Sequence, residues 1–253
     1  MQQIRVIPAL LLKNEGLVKS VKFKDAKYIG DPRNAVKIFN EKEVDELAFL
    51  DISASINARG PNFQMISEIS SECFMPLCYG GGITTIEQIR KLFSIGIEKV
   101  AINSALHSSP ELVSIASDQY GSQSIIASID VKKNFFGKYE VFAKSGTVNT
   151  KKEPARFAAQ MQELGVGEIL LNSIDRDGTM KGYDLELIKM VTSAIDIPLI
   201  ACGGAACLQD MKEAVSVAGA SAVAAGSMFV YHGKHKAVLI SYPKHQEIRS
   251  IYE

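Results

Sequence analysis

Pro-Leu-Cys-Tyr-Gly-Gly-Gly at residues 76–82 is echoed by Pro-Leu-Ile-Ala-Cys-Gly-Gly at 198–204, so Gly80 and Gly81 recur as Gly203 and Gly204 at an offset of 123. Val-Ala-Ile-Asn-Ser at 100–104 returns at the same offset as Val-Ala-Ala-Gly-Ser at 223–227. Each copy reads as an apolar strand, a glycine turn and then a helix. A half-sized unit used twice, each time with its own Gly-rich turn, predicts one closed barrel with two matching anion sites.

Eight apolar runs read as strands, at 4–12, 47–53, 76–80, 98–103, 123–131, 167–173, 198–202 and 221–226. Amphipathic stretches separate most of them. Ile86, Ile89, Leu92 and Phe93 recur at helical spacing, with Thr84 and Glu87 as a capping box. Ser109 and Pro110 are expected as N-cap and first residue of the next helix, and Phe157, Met161 and Leu164 mark another, closed by Gly165. Strands alternating with helices give a parallel sheet. Eight such units in 253 residues predict an α/β fold, a single (β/α)8 TIM barrel domain over 1–253. Two long connections, 14–32 and 132–152, hold equivalent places in the two halves and are expected to be functional loops. The stretch 238–242 reads as extended, and Pro243 then opens a short final helix with Ile248 and Ile251.

Composition narrows the function classes. Lys and Arg total 28, as do Asp and Glu, and no basic run occurs, so a nucleic-acid partner is not expected. No apolar stretch is long enough to span a bilayer, so no membrane association is expected. The opening Met-Gln-Gln-Ile-Arg runs straight into a strand, which argues against a signal peptide and for the cytoplasm. Cys73, Cys78, Cys202 and Cys207 form no Cys-x-x-Cys pair and read as small buried thiols in a reducing compartment. Neither a metal site nor a cofactor is expected.

Chemistry is expected at the C-terminal strand ends. Glycine turns there let backbone N–H groups converge on a phosphate at a helix N-terminus. The two cradles are predicted from Gly81, Gly82, Asn103 and Ser104 and from Gly204, Gly226 and Ser227, holding an elongated ligand with an anionic group at each end. Among the carboxylates, Asp130 ends the fifth strand and Asp177 lies in Asp-Arg-Asp-Gly-Thr at 175–179, just after the sixth, beside Gly178. Asp51 and Asp175 read equally well as loop caps. Ala-Leu-Leu-Leu-Lys at 9–13 aligns with Ser-Ile-Asp-Val-Lys at 128–132, so Leu11 stands where symmetry would place a partner for Asp130. An acid–base pair across the mouth needs two titratable groups, and this chain has one. At the other end, Arg5, Glu46, Lys99 and Glu168 lie near the starts of strands 1, 2, 4 and 6. Their strand parity turns them inward, where two cations and two anions would ring the barrel floor.

Over about residues 4–229 the chain resembles the cyclase subunit of imidazole glycerol phosphate synthase, the HisF family. The carrying motifs are Gly-Asp-Pro at 30–32, Asp-Glu-Leu at 45–47, Phe-Leu-Asp-Ile at 49–52, Gly-Gly-Gly-Ile at 80–83, Ile-Asn-Ser at 102–104, Gly-Ser-Gln at 121–123, Gly-Glu-Ile-Leu-Leu at 167–171 and Ser-Ile-Asp-Arg-Asp-Gly-Thr at 173–179, with Gly-Tyr-Asp at 182–184. The resemblance implies a (β/α)8 barrel that takes ammonia from a HisH-like glutaminase docked at its floor. It assigns Arg5, Glu46, Lys99 and Glu168 to the ammonia gate, Asp130 to a catalytic role and Lys19 to ligand contact.

The departures carry as much weight. The family's catalytic pair is two aspartates, on strands 1 and 5, and the first of them is Leu11 here. Asn172 replaces a threonine, and Gly226 replaces the alanine before the strand 8 serine. Losing one acid should cost ring closure at least ~100-fold. With Pro-Ala-Leu-Leu-Leu-Lys at 8–13 and Ala-Val-Leu-Ile-Ser-Tyr-Pro at 237–243, the chain looks like the second-copy HisF-like proteins linked to acetamidino groups on surface polysaccharide sugars. That implies a phosphorylated or nucleotide-linked substrate and an ATP-dependent sugar amidotransferase as second partner. An ordinary cyclase of histidine biosynthesis and a non-catalytic ammonia conduit are the other readings.

Overall fold

Eight parallel strands close on themselves in the computed structural model, which describes residues 4–249. They are β1 Arg5–Lys13, β2 Leu47–Asp51, β3 Leu77–Gly80, β4 Lys99–Ile102, β5 Ile125–Lys133, β6 Glu168–Ser173, β7 Leu199–Cys202 and β8 Ala222–Ala225. Each pairs with the next, and β8 returns to β1 through Arg5↔Ala222 to Pro8↔Ala225. This is the (β/α)8 TIM barrel.

Two apolar layers follow from strand parity. Val6, Leu10 and Leu12 of β1 face outward into the large core shared with the helices, with Phe39, Phe49, Ile66 and Phe157. Ile7 and Ala9 face inward, with Ala48, Cys78, Ala101, Ile126, Leu170, Ile200, Cys202, Ala222 and Ala224. Many interior positions are small because eight strands leave room for little more than the side chains themselves.

The helices start where local chemistry allows. Asp31, Asn62, Glu153 and Asp184 accept first-turn backbone N–H groups of Pro32–Glu41, Phe63–Ser71, Pro154–Glu163 and Leu185–Thr192. The capping box lies one residue later than Thr84 and Glu87: Thr85 caps Ile86–Ser94 and Gln88 closes the box. The Gln88 side-chain oxygen accepts from the N–H groups of both Thr84 and Thr85. Ser109 caps nothing through its side chain. Pro110, already in helical conformation, occupies the cap of Glu111–Tyr120.

The two long connections are β-hairpins rather than loops. Gly16–Val21 pairs antiparallel with β1 and with Lys24–Gly30, and Tyr139–Ala143 pairs with β5 and with Val148–Asn149. At the far end Tyr231–His232 pairs with Ala237–Val238, and a helix runs from His245 to Arg249 with Ile248 buried. Ile251 lies outside the described residues. Of the four thiols only Cys78 and Cys202 are buried; Cys73 is half-buried and Cys207 exposed, because the last two fall in helix connections.

Candidate functional site

The floor is closed by four charges. Arg5 opens β1, Lys99 opens β4, Glu168 opens β6 and Glu46 immediately precedes β2. The Arg5 guanidinium donates to Glu46 at 2.5 Å and to Glu168, while Lys99 Nζ reaches the same two carboxylates at 3.1 and 2.9 Å. The carboxylates are almost wholly buried and the cations half-buried. Burial works against the charge on Arg5, but Glu168 and then Glu46 outweigh it and hold its pKa above the ordinary value. Such a ring is tolerated because every charge meets two opposite ones.

Above the ring the interior is a column of alanines, aliphatic residues and thiols. Polar side chains return at the opposite end. Asp130 and Asn172 stand in register on adjacent strands, and Asn103 Nδ2 donates to Asp130 at 3.2 Å and to the Ser128 carbonyl at 2.9 Å. Burial, and after it the nearby Asp177 charge, pushes the Asp130 carboxyl up to about 7, against the Asn103 hydrogen bond. Asn172 Oδ1 is buried without a hydrogen-bond partner.

Leu11 shares this mouth, in register with Leu50. One acid does share its cleft: Asp177. That acid is already engaged, because Lys19 Nζ lies 3.2 Å from Asp177 Oδ1 and Ser20 Oγ donates to Oδ2 at 3.3 Å. Both side chains of the ion pair are buried. Asp51 and Asp175 act as caps: Asp51 accepts from Ser53 and Ala54, and Asp175 from the Lys133 N–H.

The two glycine cradles differ. Gly81, Gly82, Gly203 and Gly204 all have positive φ, from 70° to 126°. A Cβ at Gly82 would collide with the Arg59 carbonyl, and one at Gly204 with that of Gly182, so close packing alone demands glycine. In the first, Gly81, with Asn103 and Ser104, lines a cavity of about 450 Å³ that also holds Asp130 and Leu11; Gly82 is buried against Arg59 and Ala54 and does not line it. The second, with Gly178, Gly226 and Ser227, is a cleft of about 20 Å³, room for one water. Lys19 fills it: a Cβ at Gly226 would lie 3.1 Å from its Cε. Ser227 Oγ is buried and unpartnered there.

One feature escaped the repeat. Lys22 and Phe23 in the first hairpin, and Lys144 and Ser145 in the second, turn with φ of 49–62°, which costs a non-glycine residue roughly 1 kcal/mol or more. The two strained turns meet above the cavity. The Phe23 ring packs against Gly146, and Ser145 Oγ bonds the Ile52 carbonyl at 2.8 Å.

A family model described as "Histidine biosynthesis protein" matches residues 5–236. The chain is 55% identical over 239 residues to a Pseudomonas aeruginosa protein provisionally named imidazole glycerol phosphate synthase subunit hisF2, covering 94% of this chain and 95% of that one. It is 48% identical over 254 residues to the provisionally named subunit hisF3 of Vibrio vulnificus, covering 100% and 98%. With imidazole glycerol phosphate synthase subunit HisF of Alkaliphilus metalliredigens it shares 41% over 228 residues, 90% of each chain.

Proposed function

Since this chain belongs to the histidine biosynthesis protein family, as a HisF-like member, we propose that it is the ammonia-accepting or ammonia-channelling subunit of a glutamine-dependent amidotransferase system. Its product is an acetamidino group on a nucleotide-linked sugar destined for surface polysaccharide. A HisH-like glutaminase docks at the floor, and an ATP-dependent sugar amidotransferase is the second partner. No described helix is long and apolar enough to cross a membrane, and we assign the complex to the cytoplasm.

The observation that carries this reading is the pairing of a fully charged floor with a mouth where Leu11 lies beside Asp130 and the acid in the cleft with Leu11, Asp177, is held by Lys19. The ring of Arg5, Glu46, Lys99 and Glu168 acts as the gate, and the apolar column above it admits neutral ammonia while rejecting the ammonium ion. The column ends at Asp130, whose pKa of about 7 suits proton exchange at neutral pH. Leu11 cannot share that task. Asn103, Gly81 and Ser104 serve the open cradle, which takes the anionic part of the substrate. Lys19 and Asp177 would exchange partners when a second anionic group enters at Gly204, Gly226 and Ser227.

Purified chain, glutaminase, amidotransferase and candidate nucleotide sugars test the reading. Glutamine hydrolysis should rise when this chain is added, and mass spectrometry should find oxygen replaced by NH in the sugar. The reading fails if the chain neither binds nor stimulates the glutaminase. A second reading, the ordinary cyclase, draws support from Asp177 in the cleft beside Leu11. Ring closure of the two-phosphate substrate with ammonium salt, at ordinary rates, would favour it. An Asp130→Asn variant that loses no product in the full system would favour a passive conduit.

A further inference from the structure

Phe135 and Phe136 are 97% and 84% exposed, at the tip of the hairpin that prolongs β5. β5 carries Asp130, and at ~3.3 Å per residue the tip stands roughly 15–20 Å beyond that carboxylate. The tip is ordered by its own bonds. Asn134 Oδ1 accepts from the Phe136 and Lys138 N–H groups at 2.9 and 3.1 Å, and Gly137 N–H donates to the Asn134 carbonyl. The base is clamped to the next loop. Lys133 N–H donates to Asp175 at 2.9 Å, and Tyr139 OH donates to Asp184 at 2.7 Å. The two rings lie edge to face with centroids 5.6 Å apart and touch no part of the core. A rigid stalk thus presents two aromatic rings to solvent, an arrangement typical of interface anchors.

Lysines flank the tip in the chain: Lys133 pairs with Glu186, whereas Lys132 and Lys138 form no ion pair of their own among the described residues. We propose that this tip anchors a second protein over the barrel mouth: the enzyme that consumes the ammonia, offering an apolar pocket bordered by carboxylates. The inference rests on the function proposed above. Ammonia that reaches an open mouth is lost to water, so a mouth whose second acid, Asp177, is tied to Lys19 needs a cap that brings proton-transfer groups of its own. A lipid surface would cover the rings but supply no such group, which favours a protein.

The test uses the full chain and a Phe135→Ala/Phe136→Ala variant, whose core is untouched. Each is titrated with the purified ATP-dependent sugar amidotransferase, with the purified glutaminase, and with phosphatidylcholine–phosphatidylglycerol vesicles. The amidotransferase should bind the variant ~10–100-fold more weakly. More of the glutamine nitrogen should then escape as free ammonia, with glutaminase stimulation unchanged. Equal affinity for both forms, no binding of the natural chain to the amidotransferase, or vesicle binding that only the variant loses would each overturn the inference. Normal glutaminase stimulation with an indifferent tip overturns the inference alone. A chain that fails to stimulate the glutaminase overturns the underlying function as well.

Discussion

Lys19 and Asp177, 158 residues apart, form a buried ion pair of 3.2 Å that ties the first hairpin to the loop after β6. The pair takes up the one acid in the cleft with Leu11 and closes the second glycine cradle. Breaking a buried pair by removing one partner strands the other charge, at ~3–5 kcal/mol. Lys19→Met should therefore lower the unfolding free energy by about that amount. Asp177→Asn in the same background should recover part of it. Urea denaturation of the three proteins checks this, and an unchanged midpoint for Lys19→Met would mean the pair contributes nothing.

Leu11 borders the open cavity, so an aspartate fits there without being sealed in the core. Leu11→Asp should raise ring closure of the two-phosphate imidazole precursor, with ammonium as nitrogen donor, at least ~100-fold over the natural chain. Steady-state turnover measures it. No gain would mean that Leu11 does not limit ring closure.

Asp130 imposes a pH dependence of definite sign. The unfolded chain loses that proton near pH ~4, whereas the folded protein keeps it up to about 7. The folded state binds more protons between these values, so stability falls as pH rises through the window and levels off above it. The cost at pH 8 is on the order of 2–4 kcal/mol. Asp130→Asn removes it: the variant should be the more stable protein at pH 8 and match the natural chain near pH 4. A difference independent of pH would contradict the assignment.

Glu46 is the most buried member of the floor ring and serves both cations. Glu46→Gln keeps the shape and removes the charge, leaving Arg5 and Lys99 to share Glu168. Thermal unfolding should register a loss of ~2–4 kcal/mol. With the glutaminase bound, free ammonia should appear faster than product. Tight coupling in this variant would argue that the ring is structural only.

The barrel was legible in the chain because its cues are local. Apolar runs bounded by turn residues give strands, period two decides which side chains face inward, and the 123-residue echo implies that the halves close on each other. The same parity turns Arg5, Lys99 and Glu168 inward at their strand starts. Leu11 opposite Asp130 needed only an alignment of the chain with itself.

Other features required the folded structure, because they arise between segments far apart in the chain. A stretch such as 14–32 has strand-like composition, but its pairing with β1 depends on the edge that β1 presents. That the two glycine turns differ so much in size is set by Lys19 lying across Gly226. The exposure of Phe135 and Phe136 contradicts what two adjacent aromatics ordinarily suggest. Sequence determines which side chains a strand turns inward, since that is a matter of backbone geometry; which charges meet, and which cavities remain open, is decided by long-range packing that no local pattern encodes.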